Sequence, residues 1–158
     1  MSKTFHVLFV CMGNICRSPA AECVFRYRLS QQEGLEWVNC DSAGTLSEHA
    51  GQHPDHRMQE ELRARGIPVV GTARQIRAED LSQFDLILAM DQENLSYIRS
   101  LPGAEEAEDK IRLFTDFCQS AKADHVPDPY YGGKKGFKAV VDLLEDGIQG
   151  LLQSLSKK

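Results

Sequence analysis

No stretch of this 158-residue sequence reaches the roughly 20 apolar residues that a membrane span requires. The opening MSKTFHVLFV has too short an apolar run for a secretory leader, whose core takes about 7–15 residues and ends at a small-residue cleavage site. The chain is therefore expected in the cytoplasm. Excess positive charge is missing too. Lys and Arg number 18 against 23 Asp and Glu, a net charge of -5, which argues against nucleic acid or an anionic membrane as partner. An anionic substrate must be drawn in by local charge. Paired cysteine motifs are absent: the five cysteines are an odd number, and no Cys-x-x-Cys occurs. That excludes a disulfide scaffold, a thioredoxin-type redox motif and a zinc site of paired ligands. His49, His53, His56 and His125 show no metal-ligand spacing, and no Gly-Lys-Ser/Thr marks a Walker loop. Repeats, low-complexity tracts and linkers are also lacking, so residues 1–158 read as one domain.

What remains is an alternation of short apolar runs and helical patterns. Phe5 to Val10 reads as a buried strand. Ala20, Ala21, Val24, Phe25 and Tyr27 recur at helical spacing, with Pro19 where a first helical turn tolerates it. LEWVNCDSAG, FDLILAM and KIRLF read as further strands. Pro54 to Arg65 reads as a helix stopped by Gly66, and Asp91 as the cap of another. Asp116 to Lys135 reads as loop, and Phe137 to Leu155 as a long amphipathic helix. Strands alternating with helices imply βαβ units and a mostly parallel sheet, buried on both faces.

The chemistry lies in CMGNICRSP, Cys11 to Pro19. In a parallel sheet, ligands bind beyond the carboxyl ends of the strands. Cys11 ends the first strand, and a helix begins near Ser18, so Met12, Gly13, Asn14, Ile15, Cys16 and Arg17 wrap a helix start. Backbone N–H groups there form an anion-binding nest. Gly13 is expected to take a backbone conformation forbidden to side chains, and Asn14 tolerates left-handed geometry. Arg17 offers a planar fork matching two phosphate oxygens. The same donors stabilise a negative sulfur at Cys11, so one loop both activates a nucleophile and holds a phosphoryl group in flight. Ser18 is placed to donate its hydroxyl to that sulfur as it leaves. Asp128, in DPYYG, is the candidate acid that protonates a departing phenolate and then serves as base on the attacking water. Tyr130 and Tyr131 beside it would wall the cleft against an aromatic substrate.

VLFVCMGNICRSPAAE, with DSAGT at 41–45, MDQENL at 90–95 and DPYYG at 128–132, resembles the low-molecular-weight protein tyrosine phosphatases across nearly the whole chain. The resemblance implies an α/β fold: a four-stranded parallel sheet flanked by helices on both faces, with the phosphate-binding loop after the first strand. It implies Cys11 as nucleophile, Arg17 as phosphate clamp and Asp128 as general acid, with residues 12–18 binding the phosphate and Asn14, Ser18, Ser42 and Asp91 shaping the loop. Met12, Glu48, His49, Tyr130 and Tyr131 would line the cleft. The expected activity is hydrolysis of phosphotyrosine in proteins, or of small aryl phosphates, through a phosphocysteine intermediate, with phosphate or vanadate as inhibitor. No metal or organic cofactor is called for, and a monomer is expected. Cys16 is implied as the redox partner that shields Cys11 from irreversible oxidation.

Two positions depart from the family pattern. Glu48, next to His49, stands where an aromatic cleft wall is common, which bears on substrate preference. Arg65 stands where many eukaryotic members carry a histidine that supports the loop. Two other functions fit the same loop. An arsenate reductase would need a further cysteine pair, yet residues 70–110 hold no cysteine. A silent phosphotyrosine-binding module would be expected to lack Cys11, Arg17 or Asp128.

Overall fold

The computed structural model describes residues 4–157. Its centre is a four-stranded, all-parallel sheet of β1 (Phe5–Cys11), β2 (Val38–Gly44), β3 (Leu86–Ala89) and β4 (Ile111–Leu113), in the order β2-β1-β3-β4. The helices are α1 (Arg17–Ser30), α2 (His56–Ala64), α3 (Asp80–Gln83), α4 (Gln92–Arg99) and α5 (Lys134–Ser156). The β1 side chains alternate between two cores. Val7 and Phe9 face one, with Phe25 of α1, Met58 of α2 and Val141 of α5. Leu8 and Val10 face the other, with Ile87, Leu95 and Ile98. The continuous apolar runs of the sequence follow from this double burial.

Several bounds differ from the sequence reading. The second strand starts at Val38, because Leu35 to Trp37 form a turn in which the Val38 N–H donates to the Leu35 carbonyl. The third is four residues long. The 116–135 loop is shortened at both ends, by a 3-10 turn over Phe114–Phe117 and by α5 starting at Lys134. Helix α3 had no apolar period long enough to announce it. Helix α1 is buried all round from Arg17 to Phe25, not on one stripe. It is wedged between the sheet and α5, and its polar residues Arg17, Ser18 and Glu22 turn to the site. On α5, Gly147 and Gly150 let the 3-10 turn lie against the helix: a Cβ at Gly147 would fall on the Phe114 ring, and one at Gly150 on the Phe117 carbonyl.

The chain leaves β1 for β2 on one side and reaches β3 on the other. The carboxyl ends of β1 and β3 therefore form the switch point where such sheets bind ligands. Cys11 and Asp91 stand at those two ends.

Candidate active site

The loop between β1 and α1 starts from strand geometry and ends as a helix start. No side chain caps α1, so its first N–H groups are left for an anion. The loop is held from outside by backbone bonds: Thr45 N–H to the Cys11 carbonyl (2.9 Å), Leu46 N–H to Met12 (3.0 Å) and Asp55 N–H to Ile15 (2.7 Å). Gly44 makes this approach possible, since a Cβ there would sit 2.7 Å from the Met12 carbonyl oxygen. The left-handed residue is Asn14, at φ 57°. This corrects the expectation for Gly13, which has no positive φ; its missing side chain matters because a Cβ would press to 3.0 Å from the His49 ring.

A hydrogen-bond chain leads from the loop to the sulfur. The Asn14 side-chain oxygen accepts from the Arg74 N–H at 3.0 Å, which orients the amide. Its Nδ2 donates to Ser18 Oγ (2.8 Å) and to Ser42 Oγ (3.0 Å). Ser42 in turn donates to Glu22 (2.7 Å), whose other oxygen accepts from Arg26 (2.9 Å). Ser18 Oγ lies 3.0 Å from Cys11 Sγ and 3.4 Å from the Ala43 carbonyl oxygen, so its single proton has two acceptors in reach, and a thiolate at Cys11 is the stronger one. The Asn14 N–H adds a second donor to the sulfur at 3.3 Å. Burial pushes the Glu22 carboxyl above the usual range, against the bonds from Ser42 and Arg26 that pull it down.

Arg17 is nearly fully buried. Asp91 accepts from its Nη1 at 2.6 Å, and the Val126 carbonyl accepts from the same nitrogen at 3.0 Å. Asp91 also caps α4 through the Asn94 N–H. Burial lowers the basicity of Arg17, but the charges of Cys11, Asp91 and Asp128 outweigh this and raise it above the ordinary value. The Asp128 carboxylate lies 3.8 Å from Arg17 Nη2 and accepts the Tyr130 N–H at 3.0 Å.

A cleft of about 200 Å³ gathers the sequence candidates: Cys11, Met12, Gly13, Ile15, Cys16, Arg17, Glu48, His49, Asp128, Tyr130 and Tyr131 line it. Tyr130 and Tyr131 meet edge to face, ring centres 5.0 Å apart, and Tyr131 is almost wholly exposed. Asn14, Ser18, Ser42 and Asp91 lie behind the lining. Burial, then the charges of Asp55 and Cys11, push the Cys16 thiol well above its ordinary value. Among the described residues, no group of three or more His, Cys, Asp or Glu is placed to hold a metal ion. No helix among them is long and apolar enough to cross a membrane.

Arg65 is not part of this site. It pairs with Glu61 (2.7 Å) and with Asp142 on α5 (2.8 Å). The loop is braced instead by Glu22, by Arg26 and by the backbone of Arg74. Sequence reasoning passed over all three. Glu22 and Arg26 look like one turn of a solvated helix face, and a backbone donor leaves no side-chain signal.

Fold and site define a parallel α/β protein with a cysteine-bearing loop at a helix start, at its switch point. The chain belongs to the low molecular weight phosphotyrosine protein phosphatase family, whose model matches residues 6–158. It is 44% identical over 154 residues to the low molecular weight protein-tyrosine-phosphatase YfkJ of Bacillus subtilis, covering 96% of each chain. To the low molecular weight phosphotyrosine protein phosphatase of Homo sapiens it is 42% identical over 138 residues, 87% of each. A crystal structure of a protein tyrosine phosphatase from Entamoeba histolytica, with Hepes in its active site, superimposes with a TM-score of 0.93 at 43% identity, covering 98% of both chains.

Proposed function

We propose that this protein hydrolyses phosphotyrosine in proteins, and small aryl phosphates, through a phosphocysteine at Cys11. The observation that carries this reading is the Cys11 sulfur at the base of the cleft, bonded by Ser18 and the Asn14 N–H, with Arg17 and Asp128 lining the same space. In the first step the sulfur attacks phosphorus in line. The N–H groups of residues 12–18 and the Arg17 guanidinium hold the phosphoryl oxygens. Asp128 gives its proton to the departing phenolate oxygen. In the second step Asp128 takes a proton from water, which attacks phosphorus. The sulfur leaves as a thiolate, met by the Ser18 hydroxyl, and inorganic phosphate is released. Every step uses groups of this chain, without metal or organic cofactor.

Met12, Glu48, His49, Tyr130 and Tyr131 act on this reading as walls for the substrate ring and its neighbours. Cys16 is the redox partner: after peroxide converts Cys11 to a sulfenic acid, attack by Cys16 forms a disulfide and releases water. Residues 1–158 work as one domain, a monomer in the cytoplasm. The arsenate reductase reading is disfavoured because, among the described residues, Cys11 and Cys16 are the only cysteines lining the cleft, while Cys23 contacts Val70 and Cys118 contacts Leu143 elsewhere. The silent-module reading is disfavoured because Cys11, Arg17 and Asp128 line one cleft.

The test is p-nitrophenyl phosphate hydrolysis by reduced protein in EDTA, beside Cys11→Ser. We expect vanadate-sensitive turnover, lost by a factor of at least about 10⁴ in the variant, which still binds vanadate. Turnover that persists in Cys11→Ser removes the phosphocysteine mechanism.

A further inference from the structure

The shape of the phosphate loop turns on one side-chain amide. Asn14 is 2% exposed and stands in the left-handed region at φ 57°, a conformation that a residue with a side chain keeps only where its surroundings impose it. Among the described residues, three groups bond to its amide: Ser18 Oγ at 2.8 Å, Ser42 Oγ at 3.0 Å and the Arg74 N–H at 3.0 Å. The two hydroxyls can donate or accept, so they suit either end of the amide. The Arg74 N–H can only donate. Of the three, it is the one that obliges the amide oxygen to face it and the NH2 to face Ser18 and Ser42. Turned over, the amide would set two donors against each other at Arg74. Its oxygen would then offer the Ser18 proton a further acceptor, in competition with Cys11 Sγ.

Arg74 lies in the irregular stretch between α2 and α3, beside the single bridge of Gln75 to Gly44. Its carbonyl takes the Gly44 N–H at 2.8 Å. Its guanidinium is clamped from two elements. Asp80, the first residue of α3, accepts from Nη1 at 3.0 Å and from Nη2 at 3.2 Å. Asp41 on β2 accepts from Nε at 3.2 Å, and also takes the N–H of Ser42 at 2.8 Å. Asp80 is 1% exposed and holds the Arg77 N–H as well, at 2.8 Å. A carboxylate buried this deeply gives up hydration that its partner only partly returns, so the pair is weak as a source of stability. What it does supply is a single geometry for the backbone at Arg74.

We propose that Arg74 and Asp80 are positioning residues for the second half of the reaction: their ion pair holds the Arg74 N–H against Asn14, which keeps the Asn14 NH2 on Ser18 and leaves the Ser18 proton to the departing thiolate. This rests on the phosphocysteine reading above. Neither residue lines the cleft. The pair exchanges no proton with the substrate and acts through position.

The experiment mixes p-nitrophenyl phosphate rapidly with Asp80→Asn, below the melting range of each protein. This variant keeps the shape and the acceptor for the Arg77 N–H but gives up the charge that holds Arg74. Steady-state turnover should fall roughly tenfold, while the burst rate falls less than about threefold. In the Ser18→Ala background, where the hydroxyl is already gone, the same substitution should lower steady-state turnover less than about twofold. Arg74→Lys, which reaches Asp80 through one ammonium, should retain more turnover than Arg74→Gln; this pair is read in the same way should Asp80→Asn fail to fold. Equal losses in burst and steady state, losses that multiply with that of Ser18→Ala, or unchanged turnover overturn the proposal. A second measurement needs no turnover. The buried Asn14 side-chain amide protons should exchange with solvent at least about tenfold faster in Asp80→Asn than in the wild type. They should exchange at the wild-type rate in Arg77→Gln, which removes an exposed charge from the same stretch. If no aryl phosphate is hydrolysed but exchange quickens, the phosphatase reading fails and the hold of Asp80 on the amide stands. If hydrolysis proceeds with exchange and burst unaltered in Asp80→Asn, the reverse holds.

Discussion

The single proton of the Ser18 hydroxyl has two acceptors in reach, Cys11 Sγ at 3.0 Å and the Ala43 carbonyl at 3.4 Å, while Asn14 Nδ2 donates to the same oxygen. A thiolate at Cys11 draws that proton in preference to the carbonyl. A hydrogen bond to a charged group contributes about 1.5–3 kcal/mol, and here it matters most when the sulfur leaves as a thiolate. Ser18→Ala should therefore lower steady-state turnover by roughly ten- to a hundredfold. The first turnover should be affected less, leaving a burst of about one nitrophenolate per active site when p-nitrophenyl phosphate is mixed rapidly with the variant. Equal losses in burst rate and steady state would mean that Ser18 does not act in the second step. At this scale the sequence was informative where chemistry imposes a residue type at a fixed spacing, as for Cys11, Arg17 and Ser18. It was silent on Glu22, which acts through Ser42 across a contact of α1 with β2. It gave no partner for Arg65, whose neighbours are set by the packing of α2 on α5.

Two loops must meet for the site to work, and Arg57 joins them. It stands in the first turn of α2 and is tied to Asp55 by two bonds, Nε at 3.1 Å and Nη2 at 3.0 Å. The Asp55 N–H in turn holds the Ile15 carbonyl of the phosphate loop. From there Arg57 reaches the loop that carries the acid, donating to the carbonyls of Tyr130 (2.9 Å) and Gly132 (3.3 Å). Its guanidinium lies over the Phe137 ring at 4.6 Å and the Tyr130 ring at 5.5 Å. We expect Arg57 to be a positioning residue for Asp128. Arg57→Ala should reduce kcat/KM for phenyl phosphate by about tenfold more than for p-nitrophenyl phosphate, since only the poorer leaving group depends on a well-placed acid. Asp128→Ala should show the same pattern more strongly, and Arg57→Lys should recover part of the loss. A loss independent of leaving group would assign Arg57 to the phosphate loop alone. Asp55 was not singled out: it falls inside the stretch Pro54 to Arg65 read as helix, whereas it caps α2 from outside. The bridge it forms with Arg57 was not legible either, because it spans residues 73 and 75 apart in sequence.

At the scale of the whole molecule, the strand-helix alternation was readable because each buried strand is a continuous apolar run. The sheet order was not readable from periodicity, since every strand carries the same pattern; the family resemblance implied four parallel strands, and their order came with the structure. The ends of elements in contact with α5 were also hidden, and α5 is where the chain is closed. Asp146 on that helix accepts the backbone N–H groups of Ala121 (2.8 Å), Ser120 (3.1 Å) and Gln119 (3.1 Å). It thereby pins the start of the segment that leads to Asp128. Desolvation raises its carboxyl, but the three amides outweigh that and hold it below its ordinary value of 3.8. The sign of its linkage follows. A carboxylate lowered on folding adds stability above its unfolded value, and that stability is lost as pH falls through the folded one. Asp146→Asn should therefore melt lower than the wild type near neutral pH. The gap should be modest, about 2–3 °C, because water screens a carboxylate so close to the surface. It should narrow as pH drops below about 4, where the unfolded carboxyl takes up a proton, and close only once pH has passed below the lowered value of the folded one. Thermal melts across pH 3 to 8 would measure this. A gap that stays constant through the acid range would assign the effect of Asp146 to shape and not to its charge.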